Sequence, residues 1–134
     1  MHTMTSKYLG ELRTESEHIK SGNVIITDAP TDNNGKGEAF SPTDLVCSAL
    51  NSCMMTLMGI MANRKGLDIA GMTSNITKVM ASNPRKIAAI EIEFTLENLQ
   101  ASDKEKELLK RAALSCPVAL SLSDNVEQKI TFNF

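Results

Sequence analysis

The uncharged stretch from Leu45 to Asn63 limits the fold of this chain more than any other feature. It has about the length that crosses a bilayer as a helix. Polar and small residues interrupt it at Ser48, Asn51, Ser52, Thr56 and Gly59. A lone spanning helix with that polar content would insert poorly, so we expect no membrane span. We predict instead a helix that protein surrounds on most sides.

Capping signals mark both ends of this helix. Ser41 is a suitable N-cap residue, Pro42 suits the first turn, and Asp44 adds negative charge where the helix dipole favours it. The helix should end at 64–66, where Arg-Lys suits the carbonyl end and Gly can adopt a left-handed terminating conformation. An apolar stripe at steps of three and four contains Val46, Leu50, Cys53, Leu57 and Ile60 or Met61.

Length and charge exclude several classes of protein. The 134 residues suit a single domain, 1–134, with a substantial core. The formal net charge is -2 and no run of Lys or Arg exceeds two residues, so we expect no nucleic-acid partner. The N-terminus lacks a cationic segment followed by an apolar run, so we do not expect a secretory signal. We expect a cytoplasmic location.

The three cysteines show no metal-binding pattern. The chain has no CxxC or His/Cys cluster of zinc spacing, and its two histidines, His2 and His18, lie near the N-terminus. We therefore expect no metal. A reducing cytoplasm also disfavours a permanent disulfide.

Strand and helix patterns alternate along the chain. Residues 6–28 predict two strands that turn near 21–23, and 29–40 has the composition of a surface loop. After the long helix, 69–81 and 85–97 predict two further strands; in the second, Ile90, Ile92, Phe94 and Leu96 alternate with polar residues.

The C-terminal part predicts helices and a last strand. Ser102 and Glu105 form a capping-box pattern that opens a helix through about Ser115. Pro117 must break or restart that helix, because proline lacks a donor and disfavours helical angles at Cys116. A short helical turn follows, and "QKITFNF" closes the chain as an alternating strand.

Two segments of the chain resemble signature segments of a known family. "SPTDLVCSALNSC" and "AALSCPVALSL" are similar to those of the OsmC-like family, which includes osmotically inducible and organic hydroperoxide resistance proteins. "TDAPTDNNGKGEAFSPTDL" and "NPRKI" resemble a branch distinct from the better-studied reductases. The resemblance covers Tyr8 to Phe134. It implies an α+β fold in which antiparallel sheets wrap around long central helices in an intertwined homodimer.

The resemblance also implies roles for three residues. The helix cysteine of such proteins attacks a peroxide and becomes a sulfenic acid, which the cysteine of the Cys-Pro-Val segment resolves. Cys53 and Cys116 match these two positions, and Arg13, the one arginine before the helix, matches the catalytic arginine. The chemistry agrees, because an ordinary thiol with a pKa near 8.5 is mostly protonated at neutral pH and needs a nearby cation. Arginine keeps its charge and donates to a departing oxygen.

Each residue also has a purely structural interpretation. Free cysteine is often a buried core residue. We assign Cys47 to the core, because it is six positions from Cys53 and lies about 120° away from it around the helix. A structural bridge between Cys53 and Cys116 is a further alternative, although the compartment favours a reversible bond. For Cys116, the break at Pro117 can expose the sulfur, and the helical turn after it would favour the thiolate. His18 is expected at a strand surface.

One position departs from the family pattern. Organic hydroperoxide reductases carry a glutamate after the Asn-Pro that begins this helix, and that acid is thought to hold the arginine. Thr43 occupies the matching position here. Either another acid such as Asp44 or Glu38 substitutes, or Arg13 is held differently, or peroxidase activity is weak.

These observations lead to one hypothesis and two alternatives. The chain is interpreted as a thiol-dependent peroxidase that reduces organic or inorganic hydroperoxides through Cys53 and Cys116, without a metal or prosthetic group. A dithiol reductant of the lipoyl or thioredoxin type would regenerate it. The alternatives are a redox-sensing or small-ligand-binding dimer with little turnover, and a catalytically silent dimer whose thiols merely pack.

Overall fold

The computed structural model describes all of residues 1–134. The chain forms two compact units, residues 1–46 and residues 47–134. Three antiparallel strands make up the sheet of the first unit: β1 (Met4–Gly10), β2 (Arg13–His18) and β3 (Val24–Asp28). Their order is β1-β2-β3. The sheet therefore has β1 and β3 as its edge strands.

The first unit has one more strand than the sequence predicted. The predicted turn at 21–23 is confirmed, but a second turn at 10–12 divides the first predicted strand into β1 and β2. Gly10, Glu11 and Leu12 all have positive φ, at 88°, 53° and 64°. Glutamate and leucine rarely adopt this conformation, so the turn has little local signal in the sequence. It makes Arg13 the first residue of β2.

The loop 29–40 folds tightly at one glycine. It contains a short 3-10 helix, Thr31–Asn33. A Cβ atom at Gly35 would lie 1.8 Å from the carbonyl oxygen of Ala29, so no other residue fits there without moving the backbone. The Gly37 N–H also donates to the Ala29 carbonyl at 3.2 Å. The predicted surface loop is thus an ordered loop whose end returns to the end of β3.

The long helix α1 (Pro42–Lys65) has the ends that the sequence predicted. Its buried residues, however, lie on a stripe that shares only Leu50 with the predicted one: Cys47, Leu50, Asn51, Met54, Met58 and Ala62. The stripe predicted from the sequence is only partly buried, and Ile60 on it is 42% exposed. The helix is apolar on several faces, so its periodicity could not identify the buried one.

Helix α1 is long and apolar enough to cross a membrane by length and composition alone, a test that core helices of soluble proteins also pass. In its most apolar window, 33% of the residues are buried within the chain. The expectation that protein surrounds the helix on most sides is therefore not met by this single chain.

The second unit contains the larger sheet. Its strands β4 (Thr73–Ala81), β5 (Lys86–Thr95) and β6 (Glu127–Asn133) lie in the order β4-β5-β6. The first pair is antiparallel, as expected, whereas β5 and β6 are parallel. A parallel pair needs a long crossover connection. Two helices lie in that connection, α2 (Asp103–Leu114) and α3 (Pro117–Ser121).

Local signals of the second unit are confirmed in detail. Ser102 and Glu105 form the predicted capping box at the start of α2, and Pro117 begins α3. On β5, Ile90, Ile92 and Phe94 are at most 2% exposed, which confirms the predicted alternation. The core of this unit combines residues from α1, β5, α2 and α3. The structure is of the predicted α+β class.

Candidate active site

Cys53 and Cys116 meet in the second unit although they are far apart in the sequence. Cys53 lies half-buried in the middle of α1, and Cys116 is the N-cap residue of α3. The neighbouring Cys53 side chain raises the pKa of Cys116. Neither cysteine is in a disulfide. The fold thus makes neighbours of two thiols that are 63 positions apart in the sequence.

The environment of Cys116 keeps its thiol protonated. Burial is the largest cause of a raised pKa at Cys116, and the neighbouring Cys53 side chain raises the pKa further. The backbone N–H groups of Ala119 and Val118 act in the opposite direction, and that of Ala119 donates to the Cys116 sulfur at 3.4 Å. Burial outweighs them, so the pKa remains above its ordinary value.

The prediction that Pro117 exposes the Cys116 sulfur is wrong, since Cys116 is 0% exposed. Pro117 ends one helix and starts another, and Cys116 caps the second with its side chain turned toward the backbone of α3. The predicted favourable helical turn is present, but desolvation has the larger effect.

Cys47 is 3% exposed and lies on the buried stripe of α1, which agrees with its assignment to the core. His18 is exposed at the end of β2, as expected, with its Nδ1 2.6 Å from the Ser21 hydroxyl. Neither residue belongs to the cysteine pair.

A second cluster of candidate site residues lies in the first unit around Arg13. Its Nε donates to Oδ1 of Asp28 at 2.7 Å, and its Nη2 donates to Oδ2 of Asp28 at 2.8 Å. The same Nη2 donates to Oε1 of Glu38 at 2.9 Å. Both acids raise the pKa of Arg13, Asp28 most strongly through its hydrogen bonds. The arginine is therefore a fixed cation whose Nη1 is not used by these bonds.

Glu38, one of the two acids that the sequence offered as substitutes for the family glutamate, is hydrogen-bonded to Arg13. Asp44, the other, accepts from the Ser41 N–H at 3.0 Å, and its own N–H donates to the Ser41 hydroxyl at 3.0 Å. This reciprocal pair caps α1. The Thr43 hydroxyl lies 3.2 Å from that of Ser41, so Thr43 also belongs to the cap region.

Sequence reasoning missed Asp28, the strongest partner of Arg13. Asp28 is 0% exposed and stands directly opposite Arg13 in the register of β2 and β3. The sequence signal is an acid at the end of the β-branched run Val24–Thr27. If the length of the turn at 21–23 is known, counting residues outward from that turn along both strands places Asp28 opposite Arg13.

Comparisons with known proteins agree with these features. The family model described as OsmC-like protein matches residues 35–131, which include both cysteine segments. The chain belongs to the OsmC-like family. A search of curated proteins found no match to this OsmC-like chain.

Solved structures show the same fold. A protein from Psychrobacter arcticus 273-4, named for osmotic stress induction and detoxification response, is 47% identical with a TM-score of 0.94, over 99% of this chain and 96% of its own. The OsmC-like protein of Mycoplasma pneumoniae is 18% identical with a TM-score of 0.79, over 97% of this chain and 94% of its own. An organic hydroperoxide resistance protein OsmC from Legionella pneumophila is 20% identical with a TM-score of 0.69, over 100% of this chain and 98% of its own. The last two likenesses concern the fold alone.

Proposed function

We propose that this OsmC-like protein is a thiol-dependent peroxidase that reduces organic or inorganic hydroperoxides through Cys53 and Cys116. The observation that carries the proposal is that the fold brings the Cys53 side chain, on α1, beside Cys116, the N-cap residue of α3. Family membership suggests a hydroperoxide-resistance or redox role, and the names of the relatives from Psychrobacter and Legionella point the same way. The chemistry needs no metal or prosthetic group.

The first step is attack of the Cys53 thiolate on the hydroperoxide. The sulfur forms a bond to one peroxide oxygen, the O–O bond breaks, and the other oxygen leaves as an alkoxide or hydroxide that takes a proton. Cys53 is oxidised to a sulfenic acid, and the hydroperoxide is reduced to an alcohol or water. In this proposal Arg13 supplies the cation that favours the thiolate and a donor for the departing oxygen.

The second step joins the two cysteines. The Cys116 sulfur attacks the sulfenic sulfur, the S–O bond breaks, and the departing hydroxide takes the Cys116 proton and leaves as water. The raised pKa of Cys116 supports this order, because a protonated thiol is a poor first nucleophile but carries the proton that the second step consumes. A dithiol of the lipoyl or thioredoxin type then reduces the disulfide with two electrons and restores both thiols.

We also propose that the protein works as a homodimer in the cytoplasm. Edge strand β3 exposes Val24, Ile25 and Ile26 by 41% to 47%, and the nearby Phe40 is 56% exposed. Exposed apolar edge strands favour pairing with another chain, and a second copy is the simplest partner. The partial burial of α1 supports the same arrangement.

The test of the peroxidase function combines turnover with mass spectrometry. Purified protein receives cumene hydroperoxide or hydrogen peroxide, with dithiothreitol as reductant, and the thiols are mapped after quenching. We expect many turnovers per protein and a Cys53–Cys116 disulfide when reductant is omitted. Cys53→Ser should abolish consumption, Cys116→Ser should accumulate higher oxides at Cys53, and Cys47→Ser serves as the matched control that still forms the disulfide.

Two results would contradict the proposal. Oxidation that stops after one equivalent of peroxide in the presence of dithiol would favour a redox sensor. Absence of Cys53 oxidation under excess peroxide would favour a dimer whose thiols merely pack.

A further inference from the structure

We propose that Asp28 is the positioning residue of Arg13: its carboxylate fixes the guanidinium and leaves the Nη1 donors available for the reaction. This inference rests on the proposed function, in which Arg13 is the catalytic arginine. The contacts that support it all lie within the first unit.

The bond between the two side chains fixes the guanidinium in a plane. Asp28 receives two parallel hydrogen bonds, from Nε at 2.7 Å and from Nη2 at 2.8 Å, the bidentate geometry that matches a carboxylate to arginine. Two bonds define both the position and the rotation of the group, which a single bond does not. Because they use Nε and Nη2, the two N–H groups of Nη1 remain for another acceptor.

The carboxylate is itself held in place. Asp28 faces Arg13 across β2 and β3, and its backbone N–H donates to the Phe40 carbonyl at 3.1 Å. Its Oδ2 also accepts from the Glu38 N–H at 3.1 Å. The Asp28 side chain is 1% exposed, so neighbouring protein restricts its motion. A buried acid with three hydrogen bonds provides a rigid support for the arginine.

Glu38 is a weaker support for the same arginine. Its side chain is 65% exposed and forms one bond to Nη2 at 2.9 Å. Exposed ion pairs of this kind contribute little, at most about fivefold in an equilibrium. Asp28 therefore supplies the orienting carboxylate that Thr43, at the position of the reductases' glutamate, lacks.

The kinetic test compares Asp28→Asn with a matched control. Asp28→Asn keeps the shape of the side chain but removes the charge, and we expect it to lower kcat for cumene hydroperoxide about 100-fold with little change in KM. Glu17→Gln makes the same charge change on an exposed residue of β2 and should leave kcat unchanged. Glu38→Gln should lower kcat by less than about fivefold. Equal kcat for Asp28→Asn and wild type would overturn the proposal.

A double-mutant cycle separates positioning from a general structural effect. If Asp28 acts through Arg13, then Asp28→Asn should cost nothing further in an Arg13→Ala background, measured as the rate of Cys53 oxidation under excess peroxide. A merely structural role would reduce the rate by the same factor in both backgrounds. That additive outcome would also overturn the proposal.

Further measurements keep the test independent of folding and of peroxide turnover. If Asp28→Asn does not fold, Asp28→Glu keeps the buried charge but displaces it by one methylene, and kcat should still fall. NMR of the Arg13 Nε–H in the wild-type protein should show slow exchange with solvent, and Glu17→Gln should retain it. Fast exchange in the wild type would refute positioning by Asp28, whereas slow exchange without peroxide turnover would refute the proposed function alone.

Discussion

Oxidation of the cysteine pair should stabilise the fold by a measurable amount. A Cys53–Cys116 disulfide closes a loop of 63 residues (116 minus 53). In the chain-entropy model, a loop of that length lowers the entropy of the unfolded chain enough to stabilise the native state by about 4 kcal/mol. Because Cys53 and Cys116 are already neighbours in the fold, we expect the native state to oppose only a small part of this gain.

One contact should offset part of the gain. The Cys116 sulfur caps α3 by accepting from the Ala119 N–H at 3.4 Å, and a disulfide sulfur is a poorer acceptor. Losing an N-cap costs about 1 kcal/mol, which leaves a net stabilisation of about 3 kcal/mol. With about 2.1 cal/mol/K of unfolding entropy per residue, the 134-residue chain should gain about 10 °C in Tm.

Thermal unfolding followed by circular dichroism measures this shift. One sample is kept reduced with dithiol and the other is oxidised with one equivalent of peroxide, at the same protein concentration because association also changes Tm. Cys116→Ser should show no rise, while Cys47→Ser should keep the full difference between its oxidised and reduced forms. A Tm change under about 2 °C, with the disulfide verified by mass spectrometry, would contradict the predicted entropic stabilisation.

Three further predictions concern the stability of the fold, each measured by urea unfolding. Leu109→Ala removes a side chain that is 0% exposed and should lower the free energy of unfolding by about 3 kcal/mol. Leu120→Ala, at a residue that is 73% exposed, should change it by at most about 0.5 kcal/mol. Equal losses in the two variants would contradict the assigned core. Ser102→Ala should cost about 1 kcal/mol by removing the α2 cap, and no loss would show that the capping box is not formed in solution. Hydrogen bonds from Arg13 hold the pKa of Asp28 below its ordinary value of 3.8 against the effect of burial. The stabilisation from ionised Asp28 should therefore be complete above pH 3.8 and lost as the pH falls through the pKa of the folded state. The free energies of unfolding of wild type and Asp28→Asn should then converge in acid. A difference between them that does not change with pH would refute the ion pair.

Local signals explain which elements could be predicted. The cap at Ser41, the capping box at Ser102 and the break at Pro117 each depend on residues within a few positions, and all three are found in the structure. The alternation on β5 is equally local, because one face of that strand is buried and the other is solvated. Family membership could also be predicted, since both cysteine segments are continuous in the sequence.

Long-range effects explain the errors. The turn at 10–12 has positive φ at Glu11 and Leu12, and contacts beyond the turn hold it: β1 pairs with β2, and the Leu12 carbonyl accepts from the Ala29 N–H at 3.0 Å. The exposure of Cys116 was wrong because desolvation depends on which neighbours enclose a side chain, and the sequence does not show them. Asp28 was missed because its partner lies 15 residues away across two strands.

The caps, the helix breaks, the alternating strand and the family of this protein can all be predicted from its sequence. Each of these follows from backbone geometry and side-chain chemistry over a few neighbouring positions. Three features depend on the folded arrangement: which stripe of α1 is buried, that Cys53 and Cys116 are neighbours, and that Asp28 binds Arg13. A helix that is apolar on several faces could bury any of them, and packing selects the face that is buried. An arginine that could pair with several acids is matched to one of them by the strand register.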